Sequence, residues 1–167
     1  MIYKFRASIP GSKVFMREYE VEGNSTLYEF NEFLVNDLGF SPDQMVVFKG
    51  IDKSGEERSE YGLFDMGDGA MDEVTVERAV TKRKEVELHY LFDLRRSRYI
   101  KLDFIEILQE QPRISYPRLV AEKGRNPEQF SKTYEDFGQT EDSFDENMEG
   151  PDIDTDELSG MEEEESL

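Results

Sequence analysis

Cysteine and tryptophan are absent from the 167 residues, and histidine occurs once. The missing thiols exclude disulfides, zinc–thiolate centres, iron–sulfur clusters and thiol catalysis. One histidine excludes a multi-histidine metal site. No apolar run approaches the roughly 20 residues that a membrane helix needs. The opening Met1–Arg6 alternates charged with apolar residues and does not read as a secretory leader. No glycine-rich phosphate loop, dinucleotide fingerprint or serine-nucleophile motif is spelled anywhere, so neither a cofactor nor an enzymatic activity is expected. These absences together lead to the expectation of a cytoplasmic, non-membrane protein.

Positive charge is missing from one end of the chain. The last basic residue is Lys132, and residues 135–167 hold 15 Asp and Glu with no Lys or Arg. The rest carries 24 acids against 20 bases, so the formal net charge of −19 belongs mainly to the end of the chain. A net charge of that sign argues against non-specific binding to duplex DNA, which must neutralise phosphates. Apolar periodicity also gives out in the mid-130s. The expected organisation is therefore a folded domain at 1–134 and a disordered acidic tail at 135–167, because the tail buries too little apolar area to offset ordering its backbone.

Within the first 134 residues the apolar pattern is readable. Tyr3, Phe5, Ala7 and Ile9 alternate with Lys4, Arg6 and Ser8, which predicts a strand over 2–9. Pro10-Gly11 suits a type II turn, and Phe15, Arg17, Tyr19 and Val21 share one face of a second strand over 14–21. Thr26-Leu27-Tyr28-Glu29 spells a capping box. Leu27, Phe30, Phe33, Leu34 and Leu38 then follow at helical spacing, and Gly39 ends the run. Met45–Phe48 reads as a short strand, and 50–69 as a long polar loop. Val74–Val80 reads as a short helix or a strand.

Val86–Asp93 is a strong strand, Arg95-Arg96-Ser97 a hairpin tip, and Ile100–Phe104 the return. Ile105–Leu108 either prolongs that strand or turns into a short helix. Asn126-Pro127 predicts one or two helical turns towards Tyr134. The fold class expected from these elements is α+β. It is a roll-like mixed sheet of about five strands, with one main helix and one or two short ones.

Two stretches resemble the plasmid Orf-three-like family, also described as insertion-element passenger (TnpR-like) proteins. The first is Phe15-Met16-Arg17-Glu18-Tyr19-Glu20-Val21, followed by Thr26-Leu27 at a helix start and Gly39-Phe40 at its end. The second is Leu88–Asp93, similar to that family's aromatic strand. Tyr90 and Asp93 match in character, while Leu94–Arg98 departs from its glycine, acid and tryptophan. Tyr116-Pro117 resembles a later Tyr-Pro element. The likeness spans roughly 2–120 and implies an α+β roll-like domain with no established activity.

The candidate interaction patch is the second hairpin. Arg95, Arg96, Arg98 and Lys101 cluster there, with Tyr90 and Tyr99 interleaved and Lys82, Arg83 and Lys84 just upstream. Aromatic rings among cations suit single-stranded nucleic acid. The bland alternative is that the aromatics are core and the arginines are solvated turn residues. His89 is expected to be an ordinary structural or surface histidine. Asp65, Asp68, Asp72 and Glu73 are expected to be solvated turn acids. Asp152, Asp154, Asp156 and Glu163 match part of a calcium loop, but Glu157 stands where the loop needs glycine. The function expected is a non-enzymatic module for an unknown protein partner. A nucleic-acid accessory role for the second hairpin is the alternative.

Overall fold

The structure is a computed structural model and describes residues 1–130. Seven strands form one sheet: β1 (Ile2–Ser8), β2 (Met16–Glu22), β3 (Val47–Asp52), β4 (Glu57–Tyr61), β5 (Glu85–Asp93), β6 (Arg98–Leu108) and β7 (Arg118–Lys123). Their order is β4-β3-β5-β6-β1-β2-β7, and every pairing is antiparallel. One helix, α1 (Leu27–Leu38), packs on one face, and a π-helical turn covers Arg78–Lys82.

This corrects the expected α+β roll of about five mixed strands. The fold is β-dominated and wholly antiparallel. The two added strands are both at edges. β4 reads Glu-Arg-Ser-Glu-Tyr, almost without apolar residues, because only its Ser59–Tyr61 face is covered. β7 follows Pro117 and is half exposed, and it pairs only with β2. Ile105–Leu108 continues β6, which runs eleven residues to reach the full length of β1. The Val74–Val80 stretch enters the helical turn, and residues 125–128 carry no regular structure. The acidic segment and the calcium-like spacing at Asp152–Glu163 lie outside the described residues.

The best-specified elements follow local chemistry. Gly11 takes a φ of +84° at the β1–β2 turn, where Ser12 N–H donates to the Ile9 carbonyl at 3.0 Å. The Thr26 hydroxyl accepts the Glu29 amide at 3.1 Å, and Glu29 accepts the Thr26 amide at 2.9 Å. Gly39 closes α1 in the left-handed region. The apolar stripe of α1 lies over β1, β2 and β3: Phe30 sits 5.6 Å from Phe5 and 6.0 Å from Phe48, ring centre to ring centre. Two tyrosines fix the helix from below. Tyr19 donates to Asp37 and Tyr90 to Asn31, each at 2.7 Å.

The opposite face of the sheet is a cross-strand lattice of charge. Lys49, His89 and Lys101 stand opposite one another across β3, β5 and β6. In the next row Glu87, Asp103, Arg6 and Glu18 do the same across β5, β6, β1 and β2. Sheets with one packed and one solvated face alternate in this way. Among the described residues no helix is long and apolar enough to cross a membrane.

Candidate functional site

The six residues of the candidate hairpin patch are divided among three environments. Tyr90 is fully buried beneath α1. Arg98 is also fully buried. It shares the core-side parity of Ile100 and Leu102, and its guanidinium meets Asp93 at 2.9 Å and donates to the Glu128 and Gln129 carbonyls. It pins the segment after β7 to the sheet. Tyr99 and Lys101 stand on the charged open face, where Tyr99 stacks on His89 with ring centres 4.2 Å apart. Lys101 lies 3.9 Å from Asp103. Only Arg95 and Arg96 occupy the exposed tip, and Arg96 lies 3.7 Å from Asp93. Of the six residues, Tyr99 and Lys101 share the open face beside His89, while Tyr90 and Arg98 lie on the core side.

His89 contacts Glu87 and Tyr99 on the open face and faces no nucleophile. Three of the four acids of the 65–73 loop cap backbone, and Asp72 is exposed. Asp65 accepts the Gly67 and Gly69 amides, Asp68 accepts the Glu60 amide, and Glu73 accepts the Ala70 amide.

A different group of residues makes a site. At the β3–β4 turn, Asp52 accepts the Ser54 and Glu56 amides and the Ser54 hydroxyl. The Ser54 hydroxyl and Glu56 amide hold the Asp52 carboxyl below its ordinary range. That tight turn directs Lys53 outward. On the other side the chain leaves the π-helical turn through Lys82 and Arg83 and enters β5 at Glu85. Between them Lys84 takes a φ of +57°, in the left-handed region that side chains rarely occupy. This kink sends Lys84 to solvent and turns Glu85 inward.

Between the turn and the kink lies a cleft of about 670 Å³, lined on the cationic side by Lys53, Arg58, Lys82, Arg83 and Lys84. Asp52, Asp68 and Glu85 supply the carboxyl groups. Arg58 is paired with Asp52 at 3.5 Å. Lys53, Lys82, Arg83 and Lys84 have no carboxylate within 4.0 Å among the described residues.

Glu85 forms the floor. It is fully buried, and the Tyr61 hydroxyl lies 2.8 and 3.0 Å from its two oxygens. Arg83 Nη1 donates to the same hydroxyl at 3.1 Å, and its guanidinium lies over the Tyr61 ring at 5.4 Å. Burial raises the Glu85 carboxyl above its ordinary range; the Ser59 and Tyr61 hydroxyls and Arg83 oppose this, and Asp68 adds to it. Burial likewise pushes the Tyr61 phenol up to about 12. β3 makes room with Gly50, where a Cβ would stand 2.1 Å from a Glu85 oxygen. A buried carboxyl, a strained residue and unpaired cations in one cleft are the physical marks of a working site.

This site was hidden in the sequence because its parts are far apart. The legible signal was Lys82-Arg83-Lys84 placed directly before a glutamate that begins a strand. What the sequence does not carry is that Gly50, Ser59 and Tyr61 close over that glutamate.

The fold and the cleft together define a helix-covered antiparallel sheet carrying a cation-lined pocket at one end. No family model and no curated protein matches the chain. Among solved structures, a protein of unknown function from Methanosarcina mazei Go1 is similar, with a TM-score of 0.62 at 16% identity. The likeness covers 75% of this chain and 70% of that one. At that identity it shows a shared fold.

Proposed function

We propose that this chain is a binding module that takes a compact phosphate-type anion in the cleft between the β3–β4 turn and the start of β5. The observation that carries the reading is that Lys53, Lys82 and Lys84 line one concave space beside Arg83 and, among the described residues, have no carboxylate within 4.0 Å. Unpaired cations in a cleft focus potential on an incoming anion more strongly than the same charges on a flat surface.

Binding rather than catalysis is favoured because the one carboxyl at the floor is occupied by Tyr61 and sealed from solvent. A compact anion is favoured over a strand of bases because no exposed aromatic ring lines the cleft, and single strands are held by stacking as well as charge. The anion belongs to a free phosphate compound or to a phosphorylated group on a protein partner. The resemblance to plasmid Orf-three-like proteins implies no activity and leaves this reading to stand on the cleft.

The test is a titration of the full chain with pyrophosphate at low salt, followed by amide chemical shifts. Shifts should concentrate at Lys53 and Lys82–Val86 and weaken with added salt. Replacing Lys82 and Lys84 together by Glu should lower the affinity at least about tenfold, the loss expected when two attractive charges become repulsive. Unmoved amides in that segment at low salt would dismiss the reading. A phosphopeptide and a single-stranded oligonucleotide, titrated in parallel, separate the sources: equal or tighter oligonucleotide binding would favour nucleic acid instead.

A further inference from the structure

We propose that Glu85 controls the cleft through its proton, so that the cleft takes up its anion together with one proton held by Glu85. The inference rests on the anion-binding reading above and adds to it the residue that sets when the anion is admitted.

The geometry makes Glu85 a charge that the cleft cannot ignore. Its side chain is fully buried, and it lines the same cleft as Lys53, Lys82 and Lys84. Water therefore does little to screen it from an anion seated above. When ionised, it opposes the field of Lys82, Arg83 and Lys84; when neutral, it leaves that field intact.

The groups around Glu85 come from every element packed on it. β4 contributes the Tyr61 hydroxyl in hydrogen-bond contact and the Ser59 hydroxyl beside it. β3 contributes the bare backbone of Gly50 and, at its end, Asp52. Asp52 stands opposite Glu85 in the strand register and lines the same cleft, its carboxylate engaged by the Ser54 and Glu56 amides and the Ser54 hydroxyl. The chain preceding β5 contributes Arg83, which is hydrogen-bonded to Tyr61 and whose charge favours the ionised carboxylate, against the larger opposing effect of burial. The loop after β4 contributes Asp68, whose charge disfavours a second negative charge nearby. No cation forms an ion pair with Glu85 among the described residues. A buried carboxyl held by hydroxyls, with a like charge near and no direct cation, exists easily in its neutral form. The raised affinity of Glu85 for its proton agrees with that arrangement.

An anion entering the cleft makes the ionised form costlier still. Linkage then requires the converse: protonating Glu85 strengthens anion binding by the same factor. His89, the only histidine, lies on the opposite face of the sheet and is not part of this coupling.

The experiment compares the full wild-type chain with Glu85→Gln, titrated with pyrophosphate over a pH series that begins in the ordinary glutamate range, about pH 4, and rises to about pH 8. The ligand's own titration is common to both proteins and cancels. Wild-type affinity should fall about tenfold more steeply over that range than the variant's, the effect of one pKa unit of coupling. Calorimetry in two buffers of different ionisation heat should show additional proton uptake in the wild type.

A carboxyl-selective NMR titration of wild-type Glu85, with and without pyrophosphate, serves if the variant does not fold. Saturation should raise the Glu85 pKa. Parallel pH profiles in the two proteins, or an unmoved Glu85 titration, would overturn this inference while leaving the binding site intact. Absence of pyrophosphate binding at every pH would instead remove the proposed function, and this inference with it.

Discussion

Buried arginines show how a residue's role depends on strand parity rather than on its neighbours in sequence. Arg98 belongs to the alternation of Ile100 and Leu102, so it points into the core although it follows Arg95 and Arg96. Burial alone would raise the Asp93 carboxyl, but the Arg98 and Arg96 contacts hold it below its ordinary range. Arg17 is the counterpart on β2. It donates to the Lys123 and Gly124 carbonyls and to Asn126, and its guanidinium lies over the Phe15 ring at 4.4 Å. Removing one member of such a buried, hydrogen-bonded set leaves the others unpaired. Arg98→Ala should therefore destabilise the domain by about 3 kcal/mol in urea denaturation. Arg95→Ala, at the exposed tip, should change stability by less than about 0.5 kcal/mol. The same contrast explains why the hairpin patch was legible as composition and not as geometry: a cluster of cations in sequence says nothing about which face each occupies.

At the level of elements, the sequence was clearest where one short segment contains its own instructions. The β1–β2 hairpin and α1 are of this kind, since the Pro10-Gly11 turn, the capping box and the closing Gly39 all act within a few residues. Thr26→Ala should cost about 1 kcal/mol, because it frees the Glu29 amide and the reciprocal bond with it.

Edge strands are the opposite case. β4 carries charged residues because, among the described residues, one of its edges has no strand partner, and its apolar content reduces to Tyr61. Such a strand is specified by its partner β3, not by its own pattern. The cleft inherits that difficulty, since β3, β4 and β5 each supply one piece of it. Gly50 is the clearest example. It reads as a turn residue in sequence, and in the fold it is the place where Glu85 fits. Gly50→Ala should lower stability by about 1–3 kcal/mol through overpacking against that carboxyl. In a double-mutant cycle Glu85→Ala should recover part of the loss, and strict additivity would mean that the two do not meet.

At the scale of the whole described domain, the carboxyl groups that the fold shifts move in two directions, lowered or, as at Glu85 and Asp103, raised, and their linkage to pH has opposite sign. Glu18, Asp52 and Asp93 are held below their ordinary ranges: Glu18 by Arg6, Asp52 by the Ser54 hydroxyl, and Asp93 by Arg98 against the opposing effect of its burial. Each binds protons less readily when folded, so its contribution is present above the unfolded pKa and is lost as pH falls through the folded one. Glu85 is raised by burial, and its contribution runs the other way. It is fully present below the unfolded carboxyl range and is lost as pH rises through the folded pKa. A buried carboxyl with a raised pKa thus costs stability once pH passes its folded pKa, the opposite sign to the lowered carboxylates. Glu85→Gln keeps a side chain able to bond Tyr61 but has no proton to lose. Its urea midpoint should therefore approach the wild type's below the ordinary carboxyl range, where Glu85 is neutral folded and unfolded, exceed it increasingly as pH rises through the unfolded pKa, and level off above the folded one. A constant difference at all pH values would mean that Glu85 does not change charge in the folded protein.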